Sequence, residues 1–120
     1  MENKANITPH FSVWKEYNGV IYLSGQIGMD KATKEIPEGI EAQTKLVLQN
    51  IENVLKEAGS DKNLILRNDV FLADIAHWGI VNELYAEFFG DYKPTRTIVG
   101  NATMFGGCLI EITTTAIAKK

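Results

Sequence analysis

The sequence predicts an α+β domain: a mixed β-sheet with two helices on one face, in the order β-β-(β)-α-β-α-β-β. Three observations carry that prediction. Asn18-Gly19 sits between two strand-like runs, the strongest two-residue hairpin signal. From Ile40 to Ala58 the apolar spacing becomes helical, and a second helical stripe runs to about Phe89. After Gly90 and Pro94 the chain returns to β-like runs.

The first hairpin joins Phe11–Glu16 to Val20–Leu23 and ends in Ser24-Gly25-Gln26. The apolar run Val20-Ile21-Tyr22-Leu23 suggests a strand covered on both faces. Residues 30–39 are turn-rich, with a short edge strand expected near Glu35-Ile36. In the first helix Val47, Ile51, Val54, Leu55 and Ala58 form the apolar face. Lys45, Gln49, Glu52 and Lys56 form the polar one, and Gly59 is the expected C-cap. Leu64–Ala73 reads as a strand. Asp74 is the expected N-cap of the second helix, whose stripe is Trp78, Val81, Leu84 or Tyr85, and Phe88. Finally, a run from Thr97 to Thr103, a Gly106-Gly107 turn and Cys108–Thr113 read as a closing hairpin.

At 120 residues, with 45% hydrophobic and 22% charged, the chain is a single globular domain (1–120) able to bury its own core. The net charge is −3 and the cations are scattered, which argues against nucleic acid as a main partner. The only cysteine, Cys108, excludes an intrachain disulfide and reads as a small buried hydrophobe. His10 and His77 lack partners at ligand spacing, so no metal is expected. No signal-peptide pattern or membrane-length apolar run occurs, and the cytoplasm is the expected location. The many apolar strand residues leave one sheet face needing cover, which suggests a homo-oligomer with a ligand groove between subunits.

Arg96 and Glu111 stand out from the apolar C-terminal quarter. A guanidinium can clamp a carboxylate through two parallel hydrogen bonds. A nearby carboxylate can take a proton from water. Together they would hold a small organic acid and hydrolyse something on it. The competing reading is a cross-strand ion pair.

Several landmarks resemble the Rid family, the reactive intermediate deaminases. They are Tyr22–Ile27, Gln43-Thr44 with Val47–Asn50, Asp69–Asp74, Val81–Phe89, Pro94-Thr95-Arg96-Thr97 and Ile110-Glu111-Ile112, in the family's order over residues 11–118. The resemblance implies a chorismate-mutase-like fold assembled as a homotrimer, with pockets between subunits. It implies hydrolysis of 2-imino acids such as 2-iminobutanoate and 2-iminopropanoate to 2-keto acids and ammonia, without cofactor or metal. It places Arg96 on the substrate carboxylate and Glu111 on the attacking water, with Ser24, Gly25 and Asn82 lining the pocket. Asn82 and Ser24 could instead satisfy local backbone groups, and Gly25 could serve a close strand approach. Three positions depart from the family pattern. Phe11 stands where a Gly-Pro-Tyr motif supplies a tyrosine, Ile98 where a cysteine is frequent, and Met104-Phe105 where leucine-proline is frequent. The missing phenol motivates a second reading, a small-carboxylate binding protein without turnover. Ribonuclease, described for some relatives, is a third, disfavoured by the charge.

Overall fold

The computed structural model describes residues 9–120. Strands β1 (Trp14–Tyr17), β2 (Val20–Leu23) and β3 (Gln26–Ile27) precede helix α1 (Ile40–Glu57). Strand β4 (Ile65–Leu72), helix α2 (Trp78–Phe89), β5 (Thr95–Val99) and β6 (Ile110–Ile117) follow. One sheet runs β1-β2-β6-β4-β5, with β3 also paired to β6. Both helices cover the same face, as the sequence predicts.

Asn18 and Gly19, both at positive φ, close the β1–β2 hairpin. α1 ends where Gly59 turns left-handed (φ 86) and the Ser60 N–H donates to the Leu55 carbonyl at 2.7 Å. Ala58 is thus the cap residue, and Gly59 follows it. Asp74 accepts from the Ala76 N–H at 2.9 Å and caps a short 3₁₀ turn, Ile75–His77, which runs straight into α2. The core packs Val47, Ile51 and Leu55 of α1 and Val81 of α2 on Ile21, Ile65, Val70, Leu72, Ile110 and Ile112. Each such side chain contributes about 1.5–3 kcal/mol by leaving water.

Several expectations need correction. The closing hairpin does not exist. β5 pairs parallel with β4, β6 pairs antiparallel with β4, and β4 lies between them. β4-α2-β5 is a crossover unit, in which the helix supplies the connection a parallel pair requires. Residues 100–109 then carry the chain across the end of β4. The Ala102 N–H donates to the Leu72 carbonyl (2.9 Å), and the Ala73 N–H to that of Leu109 (3.0 Å). Gly106 and Gly107 lie in this crossing, and β5 stops at Val99, ahead of Asn101 at φ 57. No strand forms at Glu35-Ile36. Asp30 instead closes a turn, its carboxylate accepting from Ala32 and Thr33 and its N–H donating to the Glu35 carbonyl. β1 begins at Trp14, three residues later than expected. β2 is covered on one face only, since Ile21 and Leu23 are buried while Tyr22 is 52% exposed. In α2 the buried stripe is Val81, Leu84, Tyr85 and Phe89; Trp78 is exposed and Phe88 only partly buried.

Candidate functional site

The predicted site residues separate into two clusters on opposite faces of the sheet. Arg96 is in register with Asn68, which is fully buried toward α2. Glu111 is in register with Phe71, three residues further along β4. Side chains alternate along a strand, so Arg96 faces the helices and Glu111 the uncovered side. A cross-strand ion pair within one chain is therefore ruled out.

The first cluster lies between α2 and the edge strand β5. The Arg96 Nη1 donates to the Asn82 Oδ1 at 3.0 Å. The guanidinium carbon sits 4.8 Å from the Tyr85 ring centre and 5.3 Å from that of Trp78. Aromatic faces attract a cation while leaving its N–H edge free for a ligand. Arg96 makes no ion pair among the described residues. Beside it opens a cleft of about 310 Å³, lined by Asn82, Tyr85 and Phe89 and by the Tyr92-Lys93-Pro94 segment. Ile98 follows two residues after Arg96 on the same face and packs on the core.

A buried polar chain supports this cluster from below. The Thr114 hydroxyl donates to the Asn68 Oδ1 at 2.7 Å, and the Asn68 Nδ2 donates to the Tyr85 hydroxyl at 2.8 Å. It links β6, β4 and α2 and fixes the ring on which Arg96 rests. Burial pushes the Tyr85 phenol above its ordinary range, against the opposing effects of the Asn68 hydrogen bond and the Arg96 charge. Sequence reasoning placed Tyr85 and Trp78 only in a core stripe and missed Asn68, Thr114 and Lys93. A polar Asn68 within an otherwise apolar strand face was the available signal.

The second cluster surrounds Glu111 at the start of β6. Its carboxylate lies so close to Gly25 that a Cβ there would overlap it. Ser24 donates its hydroxyl to the Ser12 carbonyl at 2.7 Å, and its N–H to the Val13 carbonyl at 2.9 Å. Ser24 thereby fastens the segment carrying Phe11, which is 63% exposed. α1 holds the approach to Glu111: the Gln43 Nε2 donates to the Pro37 carbonyl, and its Oε1 accepts from the Leu109 N–H at 2.8 Å. The Asn50 Nδ2 donates to the Ile27 and Met29 carbonyls at 3.0 and 2.9 Å, fixing the end of β3. The buried Cys108 thiol lies nearby; burial and then the Glu111 charge raise its pKa. Among the described residues, no three His, Cys, Asp or Glu side chains gather as metal ligands. No helix there is long and apolar enough to cross a membrane.

Fold and site together define a small α+β domain that presents, in an aromatic cleft on one face, an arginine with no ion pair among the described residues, and a carboxylate on the other face. The chain belongs to the Rid, or endoribonuclease L-PSP, family, whose model matches residues 1–118. It is 39% identical over 98 residues to the 2-iminobutanoate/2-iminopropanoate deaminase of Rattus norvegicus, covering 81% of this chain and 72% of that protein. The Rid family protein YyfA of Yersinia pestis superposes with a TM-score of 0.89 at 34% identity, over 93% of this chain and 90% of that one. TdcF of E. coli, solved with bound serine, superposes with a TM-score of 0.87 at 28% identity, over 94% and 91%.

Proposed function

We propose that the protein is a 2-imino acid deaminase, acting on 2-iminobutanoate and 2-iminopropanoate in a pocket completed by a second copy of the chain. The observation that carries the reading is Arg96: half-buried, flanked by two aromatic rings, bonded only to a neutral amide and free of any carboxylate among the described residues. A planar guanidinium held this way suits a substrate carboxylate. The rat relative bears the name of this activity, and a bound amino acid in TdcF supports a small-acid ligand.

Arg96, Asn82 and Ile98 contribute one half of the pocket; Glu111, Ser24, Gly25 and Phe11 contribute the other. A single chain keeps these halves on opposite faces, so the reading requires the β5 edge of one copy to meet the uncovered face of the next. A closed ring of three copies does this three times over. Arg96 anchors the carboxylate and Glu111 orients a water and accepts its proton. The water oxygen bonds to C2 while the C=N electron pair moves to nitrogen, which is protonated. The carbinolamine then expels ammonia as its hydroxyl proton leaves, giving the 2-keto acid. No redox step or cofactor is needed. Phe11 carries no hydroxyl, which favours the alternative of carboxylate binding without turnover; the assay below separates the two.

The test couples an amino-acid oxidase, which generates imines, to semicarbazide trapping. Wild-type protein should suppress the semicarbazone signal, while Arg96→Ala and Glu111→Gln should not. Co-expressing those two variants should restore activity, because each mixed trimer regains about one intact pocket in three. Inactive mixtures from stable mixed oligomers would refute a shared pocket. Binding of 2-oxobutanoate without imine hydrolysis would establish the non-catalytic alternative. The ribonuclease reading lacks the basic stripe that RNA binding calls for.

A further inference from the structure

Lys93 gives the arginine cleft a second cation. It lines the same cavity of about 310 Å³ as Arg96 and is exposed. Its backbone is fixed from both sides. The Tyr92 hydroxyl donates to the Ile65 carbonyl, and the Thr95 hydroxyl to the Leu66 carbonyl at 2.9 Å. Pro94 stiffens the link between them. No acidic side chain of the same copy lines the cleft, and Lys93 has no ion pair among the described residues. In a chain of net charge −3, two unpaired cations on one small cavity form a local field of the opposite sign.

We propose that Lys93 recognises a second, distal carboxylate on the ligand, so that the preferred substrates are acidic 2-imino acids and the preferred products dicarboxylic 2-keto acids. This rests on the reading of Arg96 as the clamp for the first carboxylate. The same cleft is lined by Ala86, Phe89, Pro94 and Tyr85, apolar surface that suits a methylene spacer. A phosphate fits less well. The cleft lies at the C-terminal end of α2, which offers no free backbone N–H groups to cradle a phosphate's several oxygens. The N–H groups of Gly90 and Tyr92 already donate to Ala86 and Phe89 carbonyls. The volume is at the lower end for small-molecule pockets, which range from about 300 to 1,000 Å³.

The experiment is calorimetry on the full chain with 2-oxoglutarate and its monocarboxylate isostere 5-methyl-2-oxohexanoate, in which an isopropyl group replaces the distal carboxylate, with 2-oxobutanoate as reference. The exposed Lys93 tolerates substitution, so Lys93→Gln and Lys93→Glu should both fold. Wild type should bind 2-oxoglutarate about fivefold more tightly than the isostere, the scale of a partly exposed ion pair. Lys93→Gln should erase the preference and Lys93→Glu should reverse it. Equal affinities in wild type, or a preference that survives in Lys93→Gln, would overturn the assignment of Lys93 while leaving the reading of Arg96 intact. Failure of all three keto acids to bind would overturn that reading, and this inference with it.

Discussion

Replacing Gly25 by alanine tests Glu111 without touching it. A Cβ built on Gly25 lies 3.1 Å from the Glu111 Cδ and 3.3 Å from its Cγ, and overlaps a carboxylate oxygen. Gly25 is not among the positive-φ residues, so alanine adds no backbone strain. The obstructing atoms end a flexible side chain, which yields by on the order of 1 Å to reach ordinary contact. Folding stability should change by less than about 1 kcal/mol, since the local adjustment is offset by reduced freedom of the unfolded chain. The chemical step is far less tolerant. A displacement of that size in a reacting group costs about 100-fold in rate, roughly 2.7 kcal/mol of barrier. Gly28→Ala is the matched control. Its Cβ would meet α1 backbone, 2.8 Å from the Gln43 Cα and 2.9 Å from the carbonyl carbon, and backbone cannot step aside. That variant should lose about 1–3 kcal/mol of stability, on the order of 10 °C in Tm at the upper end. The semicarbazide assay and thermal melts should therefore separate the pair, with kcat falling in Gly25→Ala and Tm in Gly28→Ala. Unchanged kcat and KM in a well-folded Gly25→Ala protein would refute the placement of Glu111 at the reacting centre.

Arg96→Lys should keep the fold but raise KM by roughly tenfold, because an ammonium replaces the planar fork with a point charge; steady-state kinetics would show it. Tyr85→Phe leaves the Asn68 Nδ2 unpaired in a buried site and should cost about 1–3 kcal/mol in urea denaturation, as should Thr114→Val. The double variant should cost less than the sum, since all three groups share one network. Alkaline pH should destabilise the protein. The folded Cys108 thiol is held above its ordinary 9.0 by burial and by Glu111, and the Tyr85 phenol above 10.0 by burial. The unfolded chain therefore loses these protons first. The contribution is complete below about pH 9 and falls as pH rises through the unfolded and then the folded values. Denaturation at pH 8, 9.5 and 10.5 should show the decline, and Cys108→Ala should remove its earlier part.

The helices, the first hairpin and the location of the core were legible because each depends on local spacing. Val47, Ile51 and Leu55 share a helical face whatever the rest of the chain does. The position of β4 was not legible locally. Cys108–Thr113 and the run after Pro94 flank two glycines and satisfy every local condition for a hairpin. The β4-α2-β5 crossover instead takes the edge of β4 that pairs with β5, leaving β6 to pair on its other side. That choice decides the functional reading. In a hairpin, Arg96 and Glu111 would be neighbours able to neutralise each other, and the ion pair would suffice as explanation. With β4 between them they occupy opposite faces, each with its own supporting residues: Asn82, Tyr85 and Trp78 for the arginine, Gly25 for the carboxylate. Both lie on a small domain with an unpaired β5 edge and an uncovered sheet face. The pocket we propose between copies would use both surfaces and bring the two charges to one ligand.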